Sequence, residues 1–239
     1  MRVQAPSLLA AGLALLVSVA GIPAQGTFQN LDFELATLVP VPGQPPFYYF
    51  AQAFPGWTGY IGGEQQGLTW YNGVTIASAG FSIIDRSYSI PPGTPSGVIE
   101  GNYTAVVMSG VSGVGQMYDA TLEQASLVPV TAESLQFKAF FSPGGTGSYF
   151  SVSLGGQTLP LVTLGSGDNY TLYGADVHSW AGQTAELAFT CHTNIQWSFP
   201  AELYLDSIQF SNQGVPEPGV FGLSALGALF LGWRVSRRR

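Results

Sequence analysis

Charge is scarce in this chain. Only 9% of its 239 residues are Asp, Glu, Lys or Arg, against about 25% in an ordinary soluble domain. Seven Lys and Arg in all exclude a nucleic-acid-binding surface, and the shortage of both signs excludes a coiled coil or a charged disordered tail. The single cysteine, Cys191, excludes a disulfide framework and a cysteine-rich zinc or iron–sulfur site. Two histidines, His178 and His192, leave little material for a histidine-built metal centre. Glycine (31), proline (16) and aromatic residues (13%) are plentiful instead. That mixture suits many short strands joined by turns.

Both ends carry apolar runs. Residues 1–24 read as a secretory signal peptide: Arg2 is the basic start, and Leu8 to Ala20 is an unbroken apolar and small-residue stretch of 13. Thirteen residues span about 20 Å as a helix, less than the ~30 Å hydrocarbon core, so a cleaved leader fits better than an anchor. Residues 215–239 run in the opposite sense. The motif at 215–218 contains Pro216, Glu217 and Pro218; a membrane helix is expected over 219–233, followed by a basic tail over 234–239 that ends in Arg237, Arg238 and Arg239. Terminal arginines hold such a helix with its end in the cytoplasm.

This tail resembles the PEP-CTERM sorting signal of bacteria, in which a Pro-Glu-Pro motif, a membrane helix and a basic end occur in that order. The resemblance covers about a tenth of the chain. It implies recognition, and cutting near the motif, by an exosortase-like membrane enzyme. The cytoplasmic membrane would then be a transient anchor, and the destination the cell surface or an exopolysaccharide matrix.

Residues 25–214 form the exported body, one domain by length. It holds two cations, Arg86 and Lys138, against thirteen of the fourteen acids, a net charge of −11. Such a surface repels nucleic acid and anionic lipid and suits neutral partners such as polysaccharide. Period-2 patterns dominate. Phe137, Ala139 and Phe141 alternate with Gln136, Lys138 and Phe140, and Phe150, Val152 and Leu154 alternate with Ser151, Ser153 and Gly155. Gly155-Gly156 marks a hairpin. About ten strands are expected, starting with Phe28 to Leu35 and ending with Glu202 to Phe210. They predict an all-β fold, an antiparallel β-sandwich with Phe137, Phe150, Val152, Leu187, Phe189 and Ile208 in its core.

Four landmarks narrow the sandwich: Asn30-Leu31-Asp32-Phe33-Glu34, Pro55-Gly56-Trp57, Glu100-Gly101-Asn102-Tyr103, and the closing strand through Asp206. In their order they resemble the jelly-roll, galactose-binding-like domains that include carbohydrate-binding modules. The resemblance implies a structural Ca²⁺ tying the first strand to the last, here through Asp32 or Glu34 and Asp206. Alternation alone places Asp206 on one face with Tyr204, Ile208 and Phe210, which is costly unless the acid is paired or coordinated. A bulge near Asp206-Ser207 that turns the carboxylate to solvent or to a backbone N–H is the other solution. Sugar rings stack on exposed aromatics, and Trp57, Trp70 and Tyr71 are the expected ligand-binding residues. No catalytic residue is expected. The usual nucleophile and phosphate motifs are absent, and nothing pairs any two of Glu64, Asp85, Glu100 and Glu123 as a glycosidase would need. The sequence therefore predicts a non-enzymatic surface or matrix protein, alternatively a specific glycan-binding module, and in third place a secreted glycoside hydrolase or lyase.

Overall fold

The computed structural model describes residues 26–88, 97–111, 116–193 and 200–216. The signal peptide, Glu217, Pro218, the tail helix and Arg237 to Arg239 lie outside the described residues. No helix among the described residues is long and apolar enough to cross a membrane.

In chain order the strands begin with β1 (Phe47–Tyr49), β2 (Thr58–Ile61), β3 (Glu64–Gln65), β4 (Leu68–Tyr71) and β5 (Gly80–Asp85). They continue with β6 (Tyr103–Val111), β7 (Met117–Tyr118), β8 (Ala120–Leu127), β9 (Ser134–Ser142) and β10 (Tyr149–Leu154). The last five are β11 (Gln157–Thr158), β12 (Val162–Ser166), β13 (Thr171–Asp176), β14 (Thr184–His192) and β15 (Ala201–Ser211). One helical turn, α1 (Phe50–Ala53), follows β1. Among the described residues, nine strands make one sheet in the order β1-β4-β5-β6-β15-β9-β13-β12, with β7 paired to β6. Six make the other, β11-β10-β14-β8-β2-β3. The fold is an all-β sandwich.

The core forms where the inward side chains of the two sheets meet. Ala185, Leu187, Phe189 and Cys191 of β14 point inward, as do Leu135, Phe137 and Ala139 of β9. Phe189 meets Phe137 edge-on at 5.1 Å between ring centroids, and Trp57 lies 6.2 Å from Phe189. Of the expected core residues, Phe137, Val152, Leu187, Phe189 and Ile208 are buried, and Phe150 is half-buried beside Phe141. The Gly155-Gly156 hairpin is present, with both glycines at positive φ (58° and 77°), as a tight two-residue turn requires.

Three expectations about the fold need correction. The sheets are not wholly antiparallel, because β4 and β5 run parallel with Trp70 opposite Ser82. The chain between them does not turn back as a hairpin; it crosses beside β6, where Val111 donates its N–H to Ala77. Second, Phe28 to Leu35 is not a strand. Asn30 and Phe33 take φ of 51° and 59°, and Asn30 Oδ1 accepts the Leu35 N–H at 2.9 Å. An Asn with this local bond favours a turn. The segment still packs like a strand: Phe28, Leu31 and Phe33 are buried, and Ile208 donates its N–H to Leu31 O. Third, β5 is a strand that alternation does not show. It is buried on both faces because a second small core of Ile84, Val106, Met108 and Tyr204, flanked by Trp70, Val74, Tyr88, Ile99 and Phe140, covers the outside of the larger sheet.

Gly80 belongs to that cover. A Cβ there would collide with the Trp70 ring. Gly80→Val is expected to cost about 1–3 kcal/mol by forcing the indole off its site. A urea midpoint equal to that of the wild type would contradict this packing. Val215 lies against Gly174 beside Leu164.

Candidate functional site

The residues expected to hold calcium are engaged otherwise. Glu34 accepts the backbone N–H of Asn102 (2.6 Å), that of Tyr103 (3.0 Å) and the Asn102 side-chain amide (2.7 Å). It thereby clamps the Gly101–Tyr103 turn, to which Arg86 adds two bonds on Gly101 O. Asp206 is 1% exposed. Its carboxylate accepts the Thr104 hydroxyl at 2.6 Å, the Ser207 N–H at 2.7 Å and the Glu100 N–H at 3.1 Å. The ladder shifts register between Asp206 and Gln209, and Ser207 has φ 49°, so the bulge is the solution the chain uses. Burial pushes Asp206 up to about 7, against the downward pull of Thr104, Glu100 and Ser207. Asp32 accepts the Glu34 N–H at 3.3 Å. Among the described residues, no three metal-binding side chains converge. N–H and O–H donors engage the carboxylates of Glu34 and Asp206, and Asp32 does not converge with them, so the three do not fit a shared Ca²⁺ site. The tie between the early segment and the last strand is made of hydrogen bonds.

The expected aromatic ligand residues also have structural work. Trp57 is buried and donates its indole N–H to Asn30 O at 3.0 Å, so it offers no platform. Trp70 covers Gly80 and packs on Phe47 at 5.4 Å. Tyr71 donates its hydroxyl to Asp85, and that bond, with burial, raises it to about 12. None of the three lies on the smaller sheet.

The outer face of the six-stranded sheet is different. The core takes every other residue of its strands, and pairing aligns what remains. Ser151 of β10, Thr190 of β14, Thr121 of β8 and Tyr60 of β2 stand in one cross-strand row. The Thr121 and Thr190 hydroxyls bond at 2.9 Å. A neighbouring row begins with Tyr149 opposite His192, whose rings stack 4.3 Å apart at 19°. Continuing the register puts Asp119 next. At this end a cleft of about 470 Å³ opens, walled by Tyr60 and Tyr118, with Asp119, Thr121 and Thr193 on its floor and rim. Gly62 leaves room for the Tyr118 ring, which a Cβ there would strike. Glu123, beside the row, is raised first by burial and then by the nearby charge of Glu186, while a bond from Tyr60 lowers it.

A hydrogen-bonded chain links the two rows. Ser151 Oγ lies 2.8 Å from His192 Nε2, and His192 Nδ1 lies 2.7 Å from Asp119 Oδ2. The other Asp119 oxygen accepts the Thr193 N–H at 3.2 Å. His192 is 21% exposed in its side chain. A carboxylate only accepts, so Nδ1 donates to Asp119; with that tautomer of the uncharged ring, Nε2 accepts from the serine hydroxyl. Sequence reading missed this trio because its members lie 41 and 73 positions apart. Register alone makes Ser151 diagonal to His192, within side-chain reach. The usable signal was polar residues at the period-2 positions that the core leaves outside.

Comparison with protein-family models, with curated proteins and with solved structures finds no significant match.

Proposed function

We propose that the protein is an exported component of a bacterial cell surface or exopolysaccharide matrix, and that its sandwich holds a neutral glycan on the outer face of the six-stranded sheet. The observation that carries the glycan reading is the row of hydroxyls from Ser151 through Thr190 and Thr121 to Tyr60, opening into a cleft walled by two tyrosines. Hydroxyls and carboxylates bond sugar hydroxyls, and tyrosine rings cover the apolar faces of sugars. The net charge of −11 in the body disfavours an acidic polymer. The reading places the body among jelly rolls of the galactose-binding-like kind. A glycan array is the direct test. Binding to one class of neutral glycan should weaken at least about tenfold in Tyr60→Ala; signal at background for every glycan would leave a matrix protein without a sugar site.

Delivery rests on the sequence at the two ends. In this reading Pro216, Glu217 and Pro218 are presented to an exosortase-like enzyme while residues 219–233 sit transiently in the cytoplasmic membrane. Arg237, Arg238 and Arg239 keep the helix from slipping through. Replacing these three arginines by serine should shift the protein from the cell surface to the medium. Unchanged surface retention on immunoblots of the two fractions would contradict it.

A further inference from the structure

We propose that Ser151, His192 and Asp119 form a nucleophilic relay that cleaves carboxylic esters of neutral alcohols, an activity beyond holding a glycan. The nitrogens are used in the order such chemistry needs: Asp119 on Nδ1 at 2.7 Å and Ser151 on Nε2 at 2.8 Å. Each member is held. Thr193 N–H fixes the free oxygen of Asp119, Tyr149 stacks on the imidazole and sets its plane, and Ser151 stands on a strand paired at every residue from Tyr149 to Leu154.

The reaction balances with water alone. Ser151 Oγ attacks the ester carbonyl carbon while His192 Nε2 takes the hydroxyl hydrogen. The tetrahedral adduct collapses, breaks the carbon–alkoxy bond and expels the alcohol, which takes that hydrogen from Nε2. Water then attacks the acyl-serine with His192 again as base, and the acid leaves as Ser151 regains its hydrogen. Thr190 stands directly across from Ser151 and shares a hydrogen bond with Thr121; with Thr121 as its donor, the Thr190 hydroxyl can turn its own hydrogen to the developing oxyanion. A net charge of −11 turns away anionic substrates and leaves O-acyl groups on uncharged alcohols as the fitting class.

The test uses full-length protein in mild detergent, a fluorophosphonate probe and p-nitrophenyl acetate. The expected result is a phosphonyl adduct located on Ser151 by peptide mass spectrometry. Labelling should slow at least about 100-fold in both His192→Ala and His192→Gln, and ester turnover should fall as far in Ser151→Ala. Ser153→Ala, the next outward residue of the same strand, should change neither. Melting temperatures show which variants are folded. Absence of an adduct on Ser151, or equal labelling rates in the wild type and a folded His192 variant, would overturn the proposal.

Discussion

Asp206→Ala is expected to lower the melting temperature by on the order of 10 °C at pH 5. The substitution removes the acceptor for the Thr104 hydroxyl and for the Glu100 and Ser207 N–H groups, at a site 1% exposed. A buried donor left without a partner costs about 1–3 kcal/mol. Even if water rescues one of them, about 3 kcal/mol is lost, and each kcal/mol moves the midpoint of a domain this size by about 2–4 °C. The pH dependence has a definite sign. Burial raises Asp206 from 3.8 to about 7, so between those values the folded protein holds a proton that the unfolded chain has released. Its contribution is therefore complete below about pH 4 and declines by about 1.4 kcal/mol per unit as pH rises to about 7. Asp206→Asn has no such proton to lose, so its stability should lack that slope. Asp85 acts in a separate window. Burial raises it, but bonds from Ser87, Tyr71 and Asn72 outweigh that and hold it at about 2, so its contribution is lost as pH falls from about 4 to 2. Parallel stability curves for wild type and Asp206→Asn between pH 4 and 7 would contradict the account of Asp206.

Phe189→Ala is expected to cost about 4 kcal/mol. Phe189 is fully buried on β14 where the two sheets meet, edge-on to Phe137 and beside Trp57. Its removal deletes one contact between the sheets and opens a void that β-strands locked in two ladders cannot close by shifting. Phe189→Leu keeps most of the volume and should cost less than half as much. Urea unfolding monitored by tryptophan fluorescence measures both. A loss below about 1 kcal/mol for the alanine variant would mean that the sheets do not pack through this ring.

The sandwich was legible because the chain writes one-sided burial as alternation, as in Phe137-Lys138-Ala139 and Ser151-Val152-Ser153. It was illegible where that condition fails. β5 is buried on both faces because Tyr88, Val74 and Ile99 help to cover its outer side, so its sequence shows no alternation. The segment from Phe28 has strand-like composition, yet Asn30 and Phe33 turn it. The two candidate sites fared differently for related reasons. Asp206 was recognisable as an acid in an apolar strand, and the bulge at Ser207 was one of its two solutions. The aromatic candidates carry packing roles that ring type does not reveal: Trp57 is core, Trp70 covers Gly80 and Tyr71 holds Asp85. The Ser151, His192 and Asp119 chain depends on strand register, which composition and spacing do not contain.

The central claim is that the outer face of the six-stranded sheet meets a neutral glycan. Amide chemical-shift mapping with the strongest glycan from an array tests it most directly. The predicted perturbations fall on Tyr60, Tyr118, Thr121, Thr190 and Ser151, and fade in Tyr60→Ala. Perturbations clustered on β4, β5, β9 or β13 of the nine-stranded sheet, or none at saturating glycan, would contradict the claim.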